Sequence, residues 1–303
     1  MGEYSKRVGE VGESVVADLL RLLGWQNIMR NEDIDSIDTD FRKKTNGVDG
    51  YYHYNNPMIS NTIENVIYSC KYSTSPYPTS QAQIVNTFKS YYTDLAKAIE
   101  SFKKSILKQK TCEGYEFIDN CFDRGVLFWL NNSNDRDKDL ITKLGKIELT
   151  TETNHDGIFL VDNKRAEFLY NAMSYALAAY RGYDIDFIYF INGLNLADTN
   201  LRNGKIMPVE YINSSILPLR LSKEKETMVM LFTIDDFDEN DLMKYFGIAN
   251  KIGCNTQGST VICFPNYLET EHKTIVEAKK QIFQEPSFTT NLHIVNYNQP
   301  LLR

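Results

Sequence analysis

One predicted strand ends on polar residues of the types that phosphate chemistry uses. The stretch NVIYSCKYS, residues 65–73, is an apolar run that closes on Lys71, with Ser69 two positions before it. Residues two apart in a strand share a face, so Ser69 and Lys71 point the same way. Asp49 lies at the start of the preceding predicted strand. A hairpin between the two strands would place the Asp49 carboxylate beside the Lys71 ammonium at one end of a sheet.

Asp49 and Lys71 are compatible with two interpretations. A lysine buried on a strand is costly unless it is paired, so the two residues could simply form a structural ion pair. The same residue types also suit phosphodiester hydrolysis, because a carboxylate can hold Mg²⁺, a cation that uses few protein ligands, all of them oxygens. Such an ion polarises the phosphate and lowers the pKa of bound water, and a neighbouring lysine can orient that water. The residue types alone leave both interpretations open.

The hydrophobic pattern predicts the elements that would position these residues. Apolar residues at helical spacing between positions 4 and 23 predict a first helix, which Gly24 ends. Three strands, a helix capped by Ser80 and a fourth strand follow. Their predicted ranges are 26–35, 47–54, 61–73, 80–108 and 124–132. This α-β-β-β-α-β order predicts an α/β fold with a mixed central sheet and a helix packed on it.

The second half of the chain continues to alternate strands and helices. Residues 192–219 contain two glycines and two prolines, and they are predicted to form a long irregular connection. The remainder alternates as β-α-β-α-β, which is typical of a small α/β domain.

Asp49, the strand ending YSCK and the order of the surrounding elements resemble the PD-(D/E)xK, restriction-endonuclease-like superfamily over roughly residues 1–150. The resemblance implies a DNA nuclease that uses Mg²⁺ or Mn²⁺, in which Asp49 binds the metal and Lys71 assists the attacking water. Many members also carry a glutamate on the first helix, a position that Glu13 matches; the alternative for Glu13 is an exposed helix acid. The predicted catalytic residues are therefore Glu13, Asp49, Ser69 and Lys71, with Asp49 and Glu13 as metal ligands.

Ser69 is a departure from this superfamily, since it stands where members carry a second strand carboxylate. Serine is a neutral, weak metal ligand, so another acid must supply the missing charge, or the domain only binds DNA. Glu64 is five residues away on the strand and faces the opposite side. Glu13 is the best donor, and the i,i+2 pair Asp33 and Asp35 on the first predicted strand is a second candidate.

Three stretches indicate a narrower relationship. The opening MGEYSKRVGEVGES, the stretch KKTNGVDGYYHY and the motif YSCKYST are similar to the nuclease component of a two-gene prokaryotic anti-phage defence system. This resemblance implies double-stranded DNA as the target and a dedicated second protein as partner. We predict a nuclease domain over 1–195 with its core in 1–150, a connection over 196–222, and a small α/β domain over 223–303 that docks a partner.

The net charge of −7 is unevenly distributed along the chain. Residues 42–110 carry ten Lys and Arg against four Asp and Glu, whereas residues 151–303 carry 14 basic and 19 acidic residues. A local basic segment can follow phosphates in an acidic protein. We expect the first half to bind DNA, whereas the acidic second half suits protein docking, to a second copy or a neighbouring gene product. The predicted DNA-binding residues are Lys43, Lys44, Gln83 and Lys89.

The cysteine content and the hydropathy indicate a cytoplasmic protein. The chain contains five cysteines, an odd number, and no CxxC motif, which predicts reduced thiols. No apolar run approaches the roughly 18 residues that a membrane-spanning helix needs, and the opening residues lack the pattern of a signal peptide. We therefore expect neither secretion nor membrane insertion.

Overall fold

The computed structural model describes residues 2–35, 45–132, 139–145, 147, 149, 154–190, 202–253 and 258–298. The chain forms two compact units, Met1–Glu167 and Phe168–Arg303. Each unit is built on its own mixed β-sheet. In the part of the chain described, the helices are too short or too polar to cross a membrane.

The first unit contains a five-stranded sheet with the strands in chain order, β1-β2-β3-β4-β5. The first three strands pair antiparallel, and β3, β4 and β5 pair parallel. The strands are β1 (Met29–Asp35), β2 (Thr45–Asn55), β3 (Thr62–Ser73), β4 (Asn120–Asn131) and β5 (Ile158–Val161). The helices are α1 (Gly2–Leu22), α2 (Gln81–Lys103), α3 (Ile106–Glu113) and α4 (Leu140–Leu144), and the unit boundary falls within α5 (Asn163–Ala179). The predicted mixed sheet and the α-β-β-β-α-β order are confirmed.

The helix after β3 is shorter than predicted, because the chain turns at Ser105. Ser80 caps α2 as expected, since its side chain accepts a hydrogen bond from the Gln83 amide. The backbone amide of Ser105 donates to the Phe102 carbonyl, while the Ser105 hydroxyl accepts from the Lys108 amide and begins α3. The region predicted as one helix over 80–108 is therefore two helices, each with a serine at its N-terminus.

Alternate residues of β3 face the two sides of the sheet. Ile67 lies in the core beneath α2, in the same cluster as Ile84 and Phe88. Cys70 and Tyr72, of the opposite parity, lie against Gly12 of α1. A Cβ atom at Gly12 would lie 2.3 Å from the Tyr72 Cβ. Glycine at this position therefore allows α1 to approach β3 closely.

The second unit contains a six-stranded sheet in the order β11-β10-β9-β8-β6-β7. Its strands are β6 (Asp184–Tyr189), β7 (Arg202–Gly204), β8 (Ile216–Lys223), β9 (Glu226–Thr233), β10 (Ser259–Phe264) and β11 (Leu292–Asn296). Its further helices are α6 (Leu242–Gly253), α7 (Glu269–Ile282), α8 (Pro286–Thr290) and a 3₁₀ helix at Val209–Asn213. Strands β9, β10 and β11 are parallel, and β6, β7, β8 and β9 pair antiparallel.

The division into units differs from the boundaries expected at 195 and 222. The unit boundary falls after Glu167, and β8 lies inside the second sheet, paired with both β6 and β9. The glycines and prolines of 192–219 suggested a connection throughout, but the apolar residues after position 215 form a buried strand instead. Residues 191–201 lie outside the described part of the chain.

The cysteines behave as the sequence led us to expect. Cys70, Cys112, Cys121 and Cys263 are free thiols, and Cys254 lies outside the described residues.

Candidate active site

Asp49 lies where the pairing between β2 and β3 ends. The pairs between these strands run from Asn55 opposite Ile63 to Gly50 opposite Tyr68. One residue further, the Oδ2 atom of Asp49 accepts a hydrogen bond from the Cys70 backbone amide at 2.6 Å. The Cys70 amide thus donates to a side-chain carboxylate instead of to a backbone carbonyl of β2. The Asp49 carboxylate is fixed against β3 at the position where the two strands separate.

Ser69 also binds this carboxylate. Its Oγ donates to the Asp49 Oδ2 atom at 3.2 Å, so both hydrogen bonds use the same carboxylate oxygen. No described residue hydrogen-bonds to Oδ1, which leaves that oxygen available to a ligand. Ser69 therefore occupies the expected site, where it orients Asp49 rather than adding a charge.

Glu13 approaches the same strand end from α1. It is half-buried and follows Gly12, which contacts Tyr72 and Cys70 of β3. Burial raises the pKa of Glu13, and the negative charges of Asp49 and Glu10 raise it further, whereas Arg30 lowers it. Asp49 is therefore close enough to repel a charged Glu13. The structure thus brings Glu13 and Asp49 to the same end of β3, and their joint role as metal ligands stays a prediction.

Lys71 lies at the same end of β3 but makes no direct ion pair with Asp49. No salt bridge within 4.0 Å joins these two residues, both of which the structure describes. Lys71 is two residues beyond Ser69, which corresponds to roughly 6.6 Å along a strand. Its Nζ lies 5.6 Å from the centre of the Tyr91 ring on α2. Asp49 and Lys71 thus lie at one end of two paired strands, as the predicted hairpin requires, but the salt bridge of the structural ion pair is not formed between them.

The charges of this cluster also act on the Cys70 thiol. Burial and, to a smaller extent, the charges of Asp49 and Glu13 together raise the pKa of Cys70 to about 12, although Lys71 acts in the opposite direction. Glu13, Asp49 and Lys71 thus all lie within electrostatic reach of one side chain. A raised pKa favours the neutral thiol, which is the less nucleophilic form of cysteine.

Arg30 and Tyr68 belong to the site, although the motif did not indicate them. Arg30 pairs with Gly50 on β2, and Gly50 pairs with Tyr68 on β3. A Cβ atom at Gly50 would lie 2.3 Å from the Tyr68 ring and hydroxyl, so the ring lies over this glycine. The pKa of Tyr68 is raised to about 12, mainly by burial; Arg30 acts to lower it and Asp49 to raise it. Arg30 could be placed near Tyr68 only from the register of strands β1, β2 and β3, which the sequence alone does not give.

The other acids considered for the site have different positions. Glu64 is buried on β3 and forms a salt bridge with Arg124 at 3.3 Å. It also accepts a hydrogen bond from Asn56. This confirms that Glu64 does not replace a carboxylate at position 69. Asp33 and Asp35 lie on β1 opposite Gly47 and Thr45, and their side chains lie outside the described residues.

The predicted DNA-binding residues are only partly described. Gln83, in the first turn of α2, and Lys89, further along it, both have exposed side chains. Neither bonds to the carboxylates of Glu13 and Asp49. Lys43 and Lys44 lie outside the described residues, so their predicted role remains a prediction.

The site fits a hard divalent cation held by few protein ligands. In the described ranges, no group of three or more His, Cys, Asp or Glu side chains could hold a metal ion. Mg²⁺ usually keeps several waters and needs only one or two carboxylates. Asp49 and Glu13 supply two, and a cation between them would relieve the repulsion that raises the pKa of Glu13.

Comparison with known protein families places these residues in context. Residues 1–165, more than half of the chain, match the family described as the GAPS4 protein PD-(D/E)XK nuclease domain. The matched range coincides closely with the first compact unit, which carries the site. The comparison with curated proteins gives no significant match. The chain therefore belongs to the GAPS4 PD-(D/E)XK nuclease family, a family of anti-phage defence nucleases, as the resemblance of its motifs led us to expect.

Proposed function

We propose that this protein is a metal-dependent DNA nuclease that hydrolyses phosphodiester bonds in anti-phage defence, together with a partner protein. The observation that carries the proposal is the Asp49 carboxylate, which the Cys70 amide and the Ser69 hydroxyl hold at the end of β3. Glu13 adds a second carboxylate from α1, where its neighbour Gly12 lies against Tyr72 and Cys70 of β3. Two carboxylates held together in a half-buried site are costly without a cation. Lys71 at the same strand end adds the positive charge that phosphoryl chemistry requires.

Each residue of the site has a separate proposed task. Asp49, through its free Oδ1 atom, and Glu13 would hold Mg²⁺ or Mn²⁺. When bound, the ion would polarise the scissile phosphate and lower the pKa of a water ligand. Ser69 and the Cys70 amide fix the orientation of the Asp49 carboxylate. Lys71 would position the attacking water and stabilise the negative charge that develops on the phosphate.

A second function is favoured by Ser69. With a neutral residue at the position of the second strand carboxylate, the domain would be a catalytically inactive relative that binds DNA or supports a partner. The two functions differ in whether DNA is cleaved, not in whether it is bound.

The second unit suits a protein partner better than DNA. Residues 151–303 carry 19 acidic and 14 basic residues, and an acidic surface repels phosphates. We propose that this part of the chain docks a second subunit or a second copy of the chain. We place the activity in the cytoplasm, where free thiols persist and DNA is accessible.

The direct test is an assay on linear and circular duplex DNA, with the protein alone and with its partner. Mg²⁺ or Mn²⁺ is supplied, and EDTA is added in parallel. Cleavage that requires the metal and stops with EDTA supports the nuclease. DNA binding without cleavage, even with the partner present, favours the inactive DNA-binding domain.

A further inference from the structure

A cleft of about 390 Å³ lies between the end of α1 and the start of β1. Arg21 and Arg30 are its charged lining residues, and Gln26 and Asn27 add polar groups. No acidic side chain belongs to the lining. The cleft therefore presents positive charge in an otherwise acidic protein.

Arg30 connects this cleft to the candidate active site. It pairs with Gly50, the residue next to Asp49, on the neighbouring strand. Directly opposite residues in an antiparallel pair have side chains on the same face, and Tyr68 lies on that face above Gly50. The charge of Arg30 acts on both Glu13 and Tyr68, so the cleft lies within electrostatic reach of residues of the candidate site.

The guanidinium of Arg30 faces solvent and has no partner among the residues whose side chains the structure describes. Its side chain is exposed, and no described residue forms a salt bridge or hydrogen bond with it. Arg21 pairs with Asp18 at 2.6 Å, but both side chains are more than 60% exposed. An exposed pair of this kind contributes little, so an incoming phosphate could replace Asp18.

The wall of the cleft is well ordered by packing. Trp25 lines it, is fully buried, and stacks on Tyr52 with ring centres 5.4 Å apart. The Trp25 amide donates to the Leu20 carbonyl at 3.0 Å, which fixes the exit from α1. A site whose shape is set before binding loses less entropy when a ligand enters.

We propose that this cleft holds the phosphate backbone of the DNA strand next to the scissile bond, with Arg30 as the inner positioning residue and Arg21 as the outer contact. The inference rests on the proposed DNA nuclease function and deepens it. Arginine suits this task because its planar guanidinium can bind two phosphate oxygens at once. A cation at this position also offsets the repulsion between DNA and the carboxylates of Glu13 and Asp49.

The test separates binding from cleavage by using Asp49→Asn as the parent protein. The affinity of Asp49→Asn for linear duplex DNA is measured between about 50 and 200 mM salt, the range over which phosphate contacts strongly change affinity. Arg30→Ala and Arg21→Ala are added singly to this parent. Arg181→Ala is the charge-matched control, because Arg181 is an exposed residue of the second unit.

We expect Arg30→Ala to weaken binding and to reduce the slope of log affinity against log salt by about one, the effect of losing one phosphate contact. Arg21→Ala should reduce the slope less, because Asp18 already competes for that arginine. Arg30→Lys should restore the slope, and Arg181→Ala should leave it unchanged. In the protein with Asp49 intact, Arg30→Ala should raise KM for DNA while calorimetric Mn²⁺ binding is retained.

Other outcomes identify which idea fails. An unchanged salt slope in Arg30→Ala, or a parent that does not bind DNA, overturns the assignment of the cleft. If the slope is unchanged while the wild-type protein still cleaves DNA, only the cleft assignment fails. If the slope falls but the wild-type protein never cleaves DNA, the cleft is supported and the nuclease function is not.

Discussion

At the scale of single residues, the site depends on how Asp49 is held. One oxygen of its carboxylate accepts both the Cys70 amide and the Ser69 hydroxyl, so the other is free to bind a cation. The two hydrogen bonds fix the orientation of this carboxylate, and an oriented oxygen ligand is what a Mg²⁺ site needs. Ser69 thus does not supply a second strand carboxylate, but its hydroxyl orients the carboxylate of Asp49.

Ser69→Glu tests whether the metal site lacks a second carboxylate ligand or whether Glu13 already supplies it. If Glu13 already fills the second ligand position, the added carboxylate should lower or leave unchanged the cleavage rate at low Mg²⁺, because three negative charges then repel one another. The measurement is the cleavage rate over a Mg²⁺ titration, with Ser69→Ala as the control for the lost hydrogen bond to Asp49. A higher rate at low Mg²⁺ in Ser69→Glu would show instead that position 69 is a vacant ligand position.

Glu13→Gln should weaken divalent metal binding by roughly tenfold or more, about 1.4 kcal/mol, and excess Mn²⁺ should partly rescue cleavage, because Mn²⁺ binds such ligands more tightly. The raised pKa of Glu13 adds a pH dependence. Glu13 takes up a proton at a higher pH than an ordinary glutamate. As the pH is lowered, metal affinity should therefore begin to decrease at a pH above the pKa of an ordinary glutamate.

The check is to measure Mn²⁺ binding by calorimetry across pH in the wild-type protein and in Glu13→Gln. The fall in affinity at acidic pH that comes from protonation of Glu13 should be absent from Glu13→Gln. A raised pKa also means that the charged form disfavours folding above that pKa. Glu13→Gln should therefore not lower the melting temperature near pH 7. A lower melting temperature with unchanged metal affinity would make Glu13 a structural residue.

The sequence predicted some of these residues better than others. Spacing along β3 placed Ser69 and Lys71 on one strand end, and the motif added Asp49 and Glu13. Arg30 and Tyr68 were missed because their positions depend on the register between three strands. The salt bridge that one interpretation allowed between Asp49 and Lys71 is not formed, and spacing along a strand could not decide this because it does not report where a long side chain points.

At the scale of elements, the approach of α1 to β3 is what brings Glu13 to the sheet. Gly12→Ala should lower stability by about 1–3 kcal/mol, the usual cost of overpacking. Its added Cβ would lie 2.3 Å from the Tyr72 Cβ, which the strand backbone holds. Because Glu13 is the next residue, cleavage should fall as well.

Gly9→Ala is the matched control on the same helix. A Cβ at Gly9 would meet nothing within 4 Å, so this change should stabilise the helix by about 0.5–1 kcal/mol. Denaturant unfolding of both variants measures the difference. Equal stabilisation in both would show that α1 does not depend on a close approach at Gly12.

The elements themselves were largely predictable from hydrophobic periodicity. The helix at the start, the three strands that follow and β4 all lie close to their predicted positions. The break between α2 and α3 was missed, because a single serine cap decides it and the apolar pattern continues past it. Strand β8 was missed because Pro218 and nearby glycines outweighed the apolar residues around them in the prediction.

At the scale of the whole molecule, the chain separates by charge as well as by fold. The basic excess lies in residues 42–110, within the first compact unit, and the acidic excess lies in residues 151–303. The family match likewise ends at residue 165. The sequence therefore indicated two parts with different tasks, although the position of the boundary required the strand pairing of the second sheet.

The central claim is that the end of β3 is a metal-dependent hydrolytic site. The most direct measurement compares DNA cleavage and calorimetric Mn²⁺ binding in the wild-type protein, Asp49→Asn and Lys71→Ala, with the partner supplied to all three. Asp49→Asn should lose both cleavage and Mn²⁺ binding. Lys71→Ala should lose cleavage by about 10²–10³-fold, the usual cost of removing a group that stabilises transition-state charge, while Mn²⁺ binding is retained. Full cleavage by either variant would contradict the account.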